Sequence, residues 1–402
     1  MDEYYFICPQ DVLMPRGNRS FGDAGEHGEA SALPWPSVLA GALRSALLGQ
    51  DAQALADFSA GRRPAAEVGE ALGTADAPGA FRLTWASLAQ ADDRSAEPLV
   101  PLPADLVAFG EGERVSLTRL QPAALPSGVH AGVELPLVAA LRTDRAEKPA
   151  TGRLLDAAGL HTYLAGELPQ PSKSARETYE KELRLGIALN PAARTAEEGA
   201  LYTTEAIRFA RRGEPWPHRS DKGQSAAASR RLAQSDAGYL VGVRGAPGLL
   251  PERGLLRLGG DARAAQYRRV SVELPTPPLE RIAEDRRFRI VLRTPGIFGG
   301  GWLPDGVKRA REECLLRHEH FRARLVCAAL PRHEVVSGWD LARMRPKAAQ
   351  RAVAAGAVYW FDAFEGDAGK LAAWVDGGLW GDDVDAARRA EGFNLAWLAA
   401  WR

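Results

Sequence analysis

Cysteine is scarce in this 402-residue chain: Cys8, Cys314 and Cys327 are the only three, and none belongs to a C-x-x-C pair. That excludes a disulfide scaffold and a cysteine-rich zinc module, and it suits a reducing compartment. An excess of either charge is lacking as well. The 51 Lys and Arg balance 51 Asp and Glu, which excludes a polycation of the histone or ribosomal-tail kind. No apolar run reaches the roughly 18 residues that a membrane span requires. The opening Met1-Asp2-Glu3-Tyr4-Tyr5-Phe6-Ile7-Cys8-Pro9 is acidic, and its apolar stretch is too short for a signal peptide. These absences lead to the expectation of a soluble cytoplasmic protein.

Catalytic signatures are missing too. There is no G-x-x-x-x-G-K-[ST], H-E-x-x-H, G-x-S-x-G or G-x-G-x-x-G. Gly299-Gly300-Gly301 follows a strand pattern without the third glycine of a dinucleotide fingerprint, so no cofactor is expected. His318-Glu319-His320 lacks a nearby third ligand and reads as surface histidines. Asp382-Asp383-Val384-Asp385 reads as a solvated turn before a helix at Ala386, so no metal site is expected. With seven histidines in all, the one candidate general base is His27, in the loop between the first strand and the first helix, among glycines and glutamates that offer no orienting partner.

What is present is a globular composition, 46% apolar and 25% charged, on a chain long enough for two or three folding units. The neutral total hides a gradient. Residues 1–199 carry 18 Lys and Arg against 27 Asp and Glu, residues 200–332 carry 25 against 14, and residues 333–402 carry 8 against 10. A basic middle between acidic flanks is what a chain with one polyanion-facing surface would show, although an arginine-rich composition produces such runs by itself.

Tyr4-Tyr5-Phe6-Ile7 reads as a strand, and Pro36 opens a helix with Leu39, Leu43 and Leu47 on one stripe. Residues 81–85 read as the next strand. The Pro- and Leu-rich stretch 97–136 reads as irregular connection. Residues 178–189 suggest a short helix running into an extended segment, and 201–210 and 238–244 suggest strands flanking a polar insertion, 211–237. That insertion is too polar to pack and reads as an arm or a hairpin tip. In the last third, strands are expected at 287–292, 321–330 and 356–364, a helix from Asp367, and a closing segment from Phe393 to Trp401. The fold expected is α+β: two tandem ferredoxin-like (RRM-like, βαββαβ) domains, 1–270 and 271–402, with long insertions in the first.

Three segments carry nucleic-acid chemistry. Arg16 and Arg19 lie in a glycine-bearing loop able to wrap a phosphate backbone. The insertion holds Arg211, Arg212, Lys222, Arg230 and Arg231 around Trp216, pairing guanidinium forks for phosphates with an indole for an unpaired base. In the third, Gly296, Gly300 and Gly301 would let backbone amides approach a phosphate while Phe298 and Trp302 offer stacking faces; a tight packed turn is the competing reading.

Taken together, several segments resemble a known family. In order they are Pro9-Gln10-Asp11 with Arg16-Gly17 and Phe21; Leu33-Pro34-Trp35-Pro36-Ser37-Val38-Leu39-Ala40-Gly41-Ala42-Leu43-Arg44; Arg184-Leu185-Gly186-Ile187-Ala188-Leu189; Gly259-Gly260-Asp261-Ala262-Arg263; Thr294-Pro295-Gly296-Ile297-Phe298 with Gly301-Trp302-Leu303-Pro304; Ser337-Gly338-Trp339-Asp340-Leu341; and Ala355-Gly356-Ala357-Val358-Tyr359-Trp360-Phe361. The series resembles the third-subunit family of the Cmr complex, RAMP proteins of type III-B CRISPR effectors. The resemblance implies a non-catalytic subunit that holds the crRNA 5′ handle and touches the large polymerase-like subunit and the adjacent RAMP backbone subunit. It also implies that Arg16, Arg19, Arg44, Arg184 and the loop from Gly296 to Trp302 lie near the handle RNA. A repeat-processing endoribonuclease using His27, or a pure protein scaffold, are the alternatives. One departure is that Glu391-Gly392-Phe393-Asn394-Leu395 keeps a single glycine where RAMP proteins often end in a glycine-rich loop.

Overall fold

A computed structural model gives the fold, and it describes all residues except 1, 16–26, 29–30, 111–113, 130–134, 171–173, 191, 219–228, 260–261, 311–312, 341–342 and 383. The elements used below are, in chain order, β1 (Glu3–Pro9), α1 (Pro36–Leu48), β2 (Arg82–Ala91), β3 (Ala96–Pro101), α2 (Ala157–Leu164), β4 (Tyr179–Asn190), β5 (Thr195–Phe209), β6 (Pro215–His218), β7 (Ser229–Leu232), β8 (Asp236–Arg244), β9 (Arg253–Leu258) and β10 (Arg263–Arg269). They continue with α3 (Leu279–Asp285), β11 (Phe288–Leu292), β12 (Val307–Ala310), β13 (Glu313–His318), β14 (Phe321–Ala329), β15 (Val358–Gly366), α4 (Ala368–Asp376), α5 (Ala386–Glu391) and β16 (Ala396–Ala400). The protein is a mixed α+β fold dominated by antiparallel pairing.

Two sheets organise it. The first runs β9-β10-β1-β8-β2-β3 and ends on the short strand Leu154–Leu155; the second runs β12-β13-β14-β15-β11-β16. Period-2 alternation sends apolar side chains to both faces of each. From β1, Tyr5 and Ile7 enter a core with Leu39 and Leu43 of α1, while Phe6 and Cys8 enter a second core. From β11, Phe288 and Ile290 join Ile282 of α3 and Leu371 of α4 in a third core, while Val291 points back into the second. The second core is therefore common to both sheets, with Trp85 of β2 edge-on to Trp397 of β16 at 5.9 Å between centroids. An aromatic pair of this kind adds about 0.5–1.5 kcal/mol to the burial itself.

The helices follow local rules. Pro36 occupies the first turn of α1, where its missing N–H costs nothing, and Leu39, Leu43 and Leu47 make the buried stripe. Asp367 caps α4 by accepting from the amides of Gly369 and Lys370, and Asp385 caps α5 through Arg388 N. Gly392 ends α5 at φ +87, and a Cβ there would sit 2.9 Å from the Leu83 carbonyl oxygen, so only glycine lets α5 lie this close to β2.

The structure corrects three expectations. Within 97–136, residues 96–101 belong to the first sheet and Leu106–Phe109 pairs with Ser116–Arg119, so the stretch is hairpins rather than irregular connection. Proline and leucine gave it no readable period. Residues 179–190 form one strand, and the only helical turn there is the 3-10 turn Ala175–Glu177 that precedes it. The insertion 211–237 does pack at its base: β6 pairs with β7, and Trp216 is 7% exposed in the first core.

Candidate nucleic-acid interface

Because the inner faces of both sheets line one core, the flat sheet surface that RRM-like proteins turn to unstacked bases is filled by protein here. What projects outward are hairpins and loops, and the longest is β4–β5. Its register sets Arg184 opposite Thr204, and Thr204 in turn lies beside Gly28, because His27–Gly28 pairs in parallel with Thr203–Thr204. At the other end of the loop that holds Arg16 and Arg19, Leu13 exchanges backbone hydrogen bonds with Ile207 of β5, at 2.9 and 2.7 Å. The loop thus leaves and returns along β5, and Arg184 stands two strands from its return. Arg16 and Arg19 themselves lie outside the described residues, and for His27 only the backbone is described.

The two faces of the β4–β5 ribbon differ. On one, Arg208 donates to Glu180 at 2.6 Å and pairs with Glu182 at 2.9 Å, and Arg184 pairs with Glu182 at 3.3 Å. On the other, Leu183 and Leu185 are each 70% exposed and Ile187 47%. The alternation is plain in the sequence, yet its outward apolar row was not anticipated, since alternation does not say which face meets water.

The base of the insertion is tied down. Arg211 donates to the Pro9 carbonyl at 3.1 Å, and Arg212 pairs with Asp93 at 2.8 Å, which raises its pKa. Trp216 donates its indole N–H to the Arg176 carbonyl at 2.9 Å beneath the Arg208 guanidinium, so this indole is a packing anchor rather than a stacking face. Lys222 lies outside the described residues; Arg230 and Arg231 are on β7, described for their backbone alone. Arg44 is half-buried on α1 over the Phe58 ring, and burial lowers its pKa, partly offset by Glu391.

The stretch 296–302 is a tight packed turn. Gly296 exchanges 2.8 Å backbone bonds with Val353, and the Phe298 ring fills the space a Cβ on Gly296 would need. Phe298 is 7% exposed in the third core, and Trp302 is half-buried against the same core while its carbonyl accepts from Tyr359 Oη at 2.7 Å. Gly300 and Gly301 are exposed, but the Gly299 amide already donates to Asp305 Oδ1 at 3.2 Å. Burial raises the Asp305 carboxyl against the pull of the Gly299 and Gly381 amides. The aromatic faces expected here for stacking are turned inward, because the turn closes over the third core.

Among the described residues, no three His, Cys, Asp or Glu side chains converge as a metal site, and no helix is long and apolar enough to cross a membrane. His318 stacks on Phe321 at 4.5 Å in the β13–β14 turn, and His320 pairs with Glu319. The arrangement defines a class: a two-sheet α+β protein whose sheet faces are closed and whose β4–β5 ribbon, bearing Arg184, stands outside them and pairs with Leu13 and with His27–Gly28.

Comparison with known families identifies the chain's family. Residues 5–401 match the family model described as CRISPR-associated protein (Cas_Cmr3), and the chain belongs to this family. The resemblance read from the ordered motifs holds, and the family is that of a Cmr complex subunit. Two cryo-EM structures of the type III-B Cmr-β complex bound to cognate target RNA contain a similar chain. One, with AMPPnP, shows 13% identity over 89% of this chain and 86% of that chain at a TM-score of 0.43. The other shows 12% identity over 98% and 96% at 0.44. A comparison with curated proteins finds no match.

Proposed function

We propose that this chain is the non-catalytic RNA-binding subunit that caps the crRNA 5′ handle in a cytoplasmic type III-B Cmr effector and docks it against the large polymerase-like subunit and the adjacent RAMP backbone subunit. The observation that carries the reading is the family match across residues 5–401. The fold is read as two ferredoxin-like units divided near residue 270. Strand order supports this: numbered within each unit, β10-β1-β8-β2 and β16-β11-β15-β14 both run 4-1-3-2, all antiparallel. Each unit keeps one of the two crossover helices, α1 in the first and α4 in the second.

With the sheet faces closed, RNA is met by the loop 16–28, the β4–β5 ribbon and the β6–β7 hairpin, through arginine forks and backbone contacts. Photocrosslinking a guide RNA that carries reactive nucleotides at its 5′ end, in the assembled complex, tests this. Adducts should fall on the ribbon or the loop, and Arg184→Glu should lower their yield. Adducts confined to other subunits would leave this chain a protein scaffold.

A further inference from the structure

A second cationic cluster lies away from the ribbon, where the two sheets meet. Arg82 opens β2 and Arg244 closes β8, and the two are register partners. One residue pair further in, a β-bulge between Gly242 and Val243 interrupts the ladder beside Thr84, whose hydroxyl is buried without a hydrogen-bond partner. Arg389 comes from α5, which Gly392 holds against Leu83. Arg293 follows β11 and stacks over Trp85 at 5.3 Å and Trp397 at 5.9 Å.

The charges at this seam do not balance. Asp2 takes Arg244 through both oxygens, at 2.6 and 3.1 Å, and Asp376 lies 3.3 Å from the same guanidinium. Among the described residues, neither Arg82 nor Arg389 has a carboxylate within ion-pair distance. The Nε atoms of Arg293 and Arg389 are buried with no hydrogen-bond partner. Burial lowers the pKa of Arg82, and the charges of Arg389 and Arg244 lower it further. Like charges left this close, with donors unused, are an arrangement that an anion relieves.

We propose that Arg82 and Arg389, backed by Arg244 and Arg293, form a phosphate site on the seam between the two sheets. Guanidinium forks match phosphate oxygens bidentately. The indoles of Trp85 and Trp397 are buried, so the site offers no surface for a base and takes the phosphate alone. The source is a phosphodiester of the bound RNA or a free polyphosphate, and the RNA arm of the test rests on the function proposed above.

The full chain and an Arg82→Gln/Arg389→Gln variant are compared in two measurements. The first is melting temperature with and without tripolyphosphate at matched ionic strength. Tripolyphosphate should raise the melting temperature of the native chain and leave the variant unmoved. Without the anion the variant should melt no lower than the native chain, since it removes repulsion. The second is the salt dependence of guide-RNA affinity. Loss of two phosphate contacts should flatten the slope of log K against log salt by about 1.4, at about 0.7 per contact on a single strand. Flattening identifies RNA as the source; an unchanged slope with the tripolyphosphate effect lost identifies a free anion. No tripolyphosphate shift in the native chain together with equal slopes would overturn the site, as would an equal shift with polyglutamate. If the glutamine variant does not fold, Arg82→Lys/Arg389→Lys should keep the slope but lose most of the tripolyphosphate shift, and an undiminished shift would overturn the bidentate geometry. A guide RNA with a scrambled 5′ end that binds as well as the handle RNA, yet shows the same slope difference, would remove the handle reading and leave this site standing.

Discussion

The Arg289 guanidinium and the Asp105 carboxylate form an ion pair closed from water, 1% and 0% exposed, that joins the second sheet to the segment following β3 of the first. Tyr163 donates its hydroxyl to the other Asp105 oxygen at 2.7 Å, Arg289 also donates to the carbonyls of Tyr163 and Ala400, and Arg119 stands 3.9 Å from the same carboxylate. Two guanidiniums therefore depend on one buried anion. Asp105→Asn should cost about 3–5 kcal/mol, because it strands both cations, while Asp105→Asn combined with Arg289→Met should recover part of the loss. Chemical denaturation of the three chains checks this. A single variant as stable as the native chain would contradict it.

Trp216 separates packing from recognition. As a buried anchor beneath Arg208, it should cost about 3–5 kcal/mol when replaced by alanine, read as a shift in denaturant midpoint. A stacking residue on the surface would leave stability unchanged and lower RNA affinity alone.

The outward row on β4 behaves oppositely. Leu183→Ser with Leu185→Ser should leave stability within about 0.5 kcal/mol, since neither side chain is buried. The same change should reduce self-association of the isolated chain in light scattering, because an exposed apolar edge strand is an association hazard.

Asp92 gives a pH signature. Its carboxylate accepts from the amides of Arg94 and Ser95 and from the Ser95 hydroxyl, and these donors, the two amides foremost, pull its pKa down to about 2. A depressed folded value means the contribution is present above the unfolded value of about 3.9 and is lost as pH falls through about 2. The melting-temperature gap between the native chain and Asp92→Asn should therefore be constant from pH 7 to about 5 and narrow as pH drops below 4. A gap that widens on acidification would contradict the assignment.

Strands with two apolar faces were the most legible elements. The Tyr4–Ile7 and Arg287–Leu292 patterns found β1 and β11 because runs of large apolar residues bounded by proline or charge leave few alternatives. Helices opening at Pro36 and Asp367 were readable from their first-turn chemistry. The hairpins within 97–136 were hidden because short paired segments rich in proline show no period. At the site, Arg184 and the loop after β1 could be named from the motif series, but their adjacency through Thr204 and Gly28 is a matter of register that spacing does not encode. The sequence reads Trp216 as a stacking face and leaves Phe298 between a stacking face and a packed turn for one reason: a glycine- or serine-rich neighbourhood suggests solvent, whereas both rings fill cores supplied by distant strands. The seam arginines are scattered from position 82 to 389, so only the fold unites them.

Equilibrium binding of the purified chain to guide RNA bearing its native 5′ handle, set against the same RNA with that handle scrambled, tests the central claim most directly. Tighter binding of the native handle, weakened by Arg184→Glu, is the result expected. Equal affinity for both RNAs, unaltered by Arg184→Glu, would contradict a handle-binding role for this subunit.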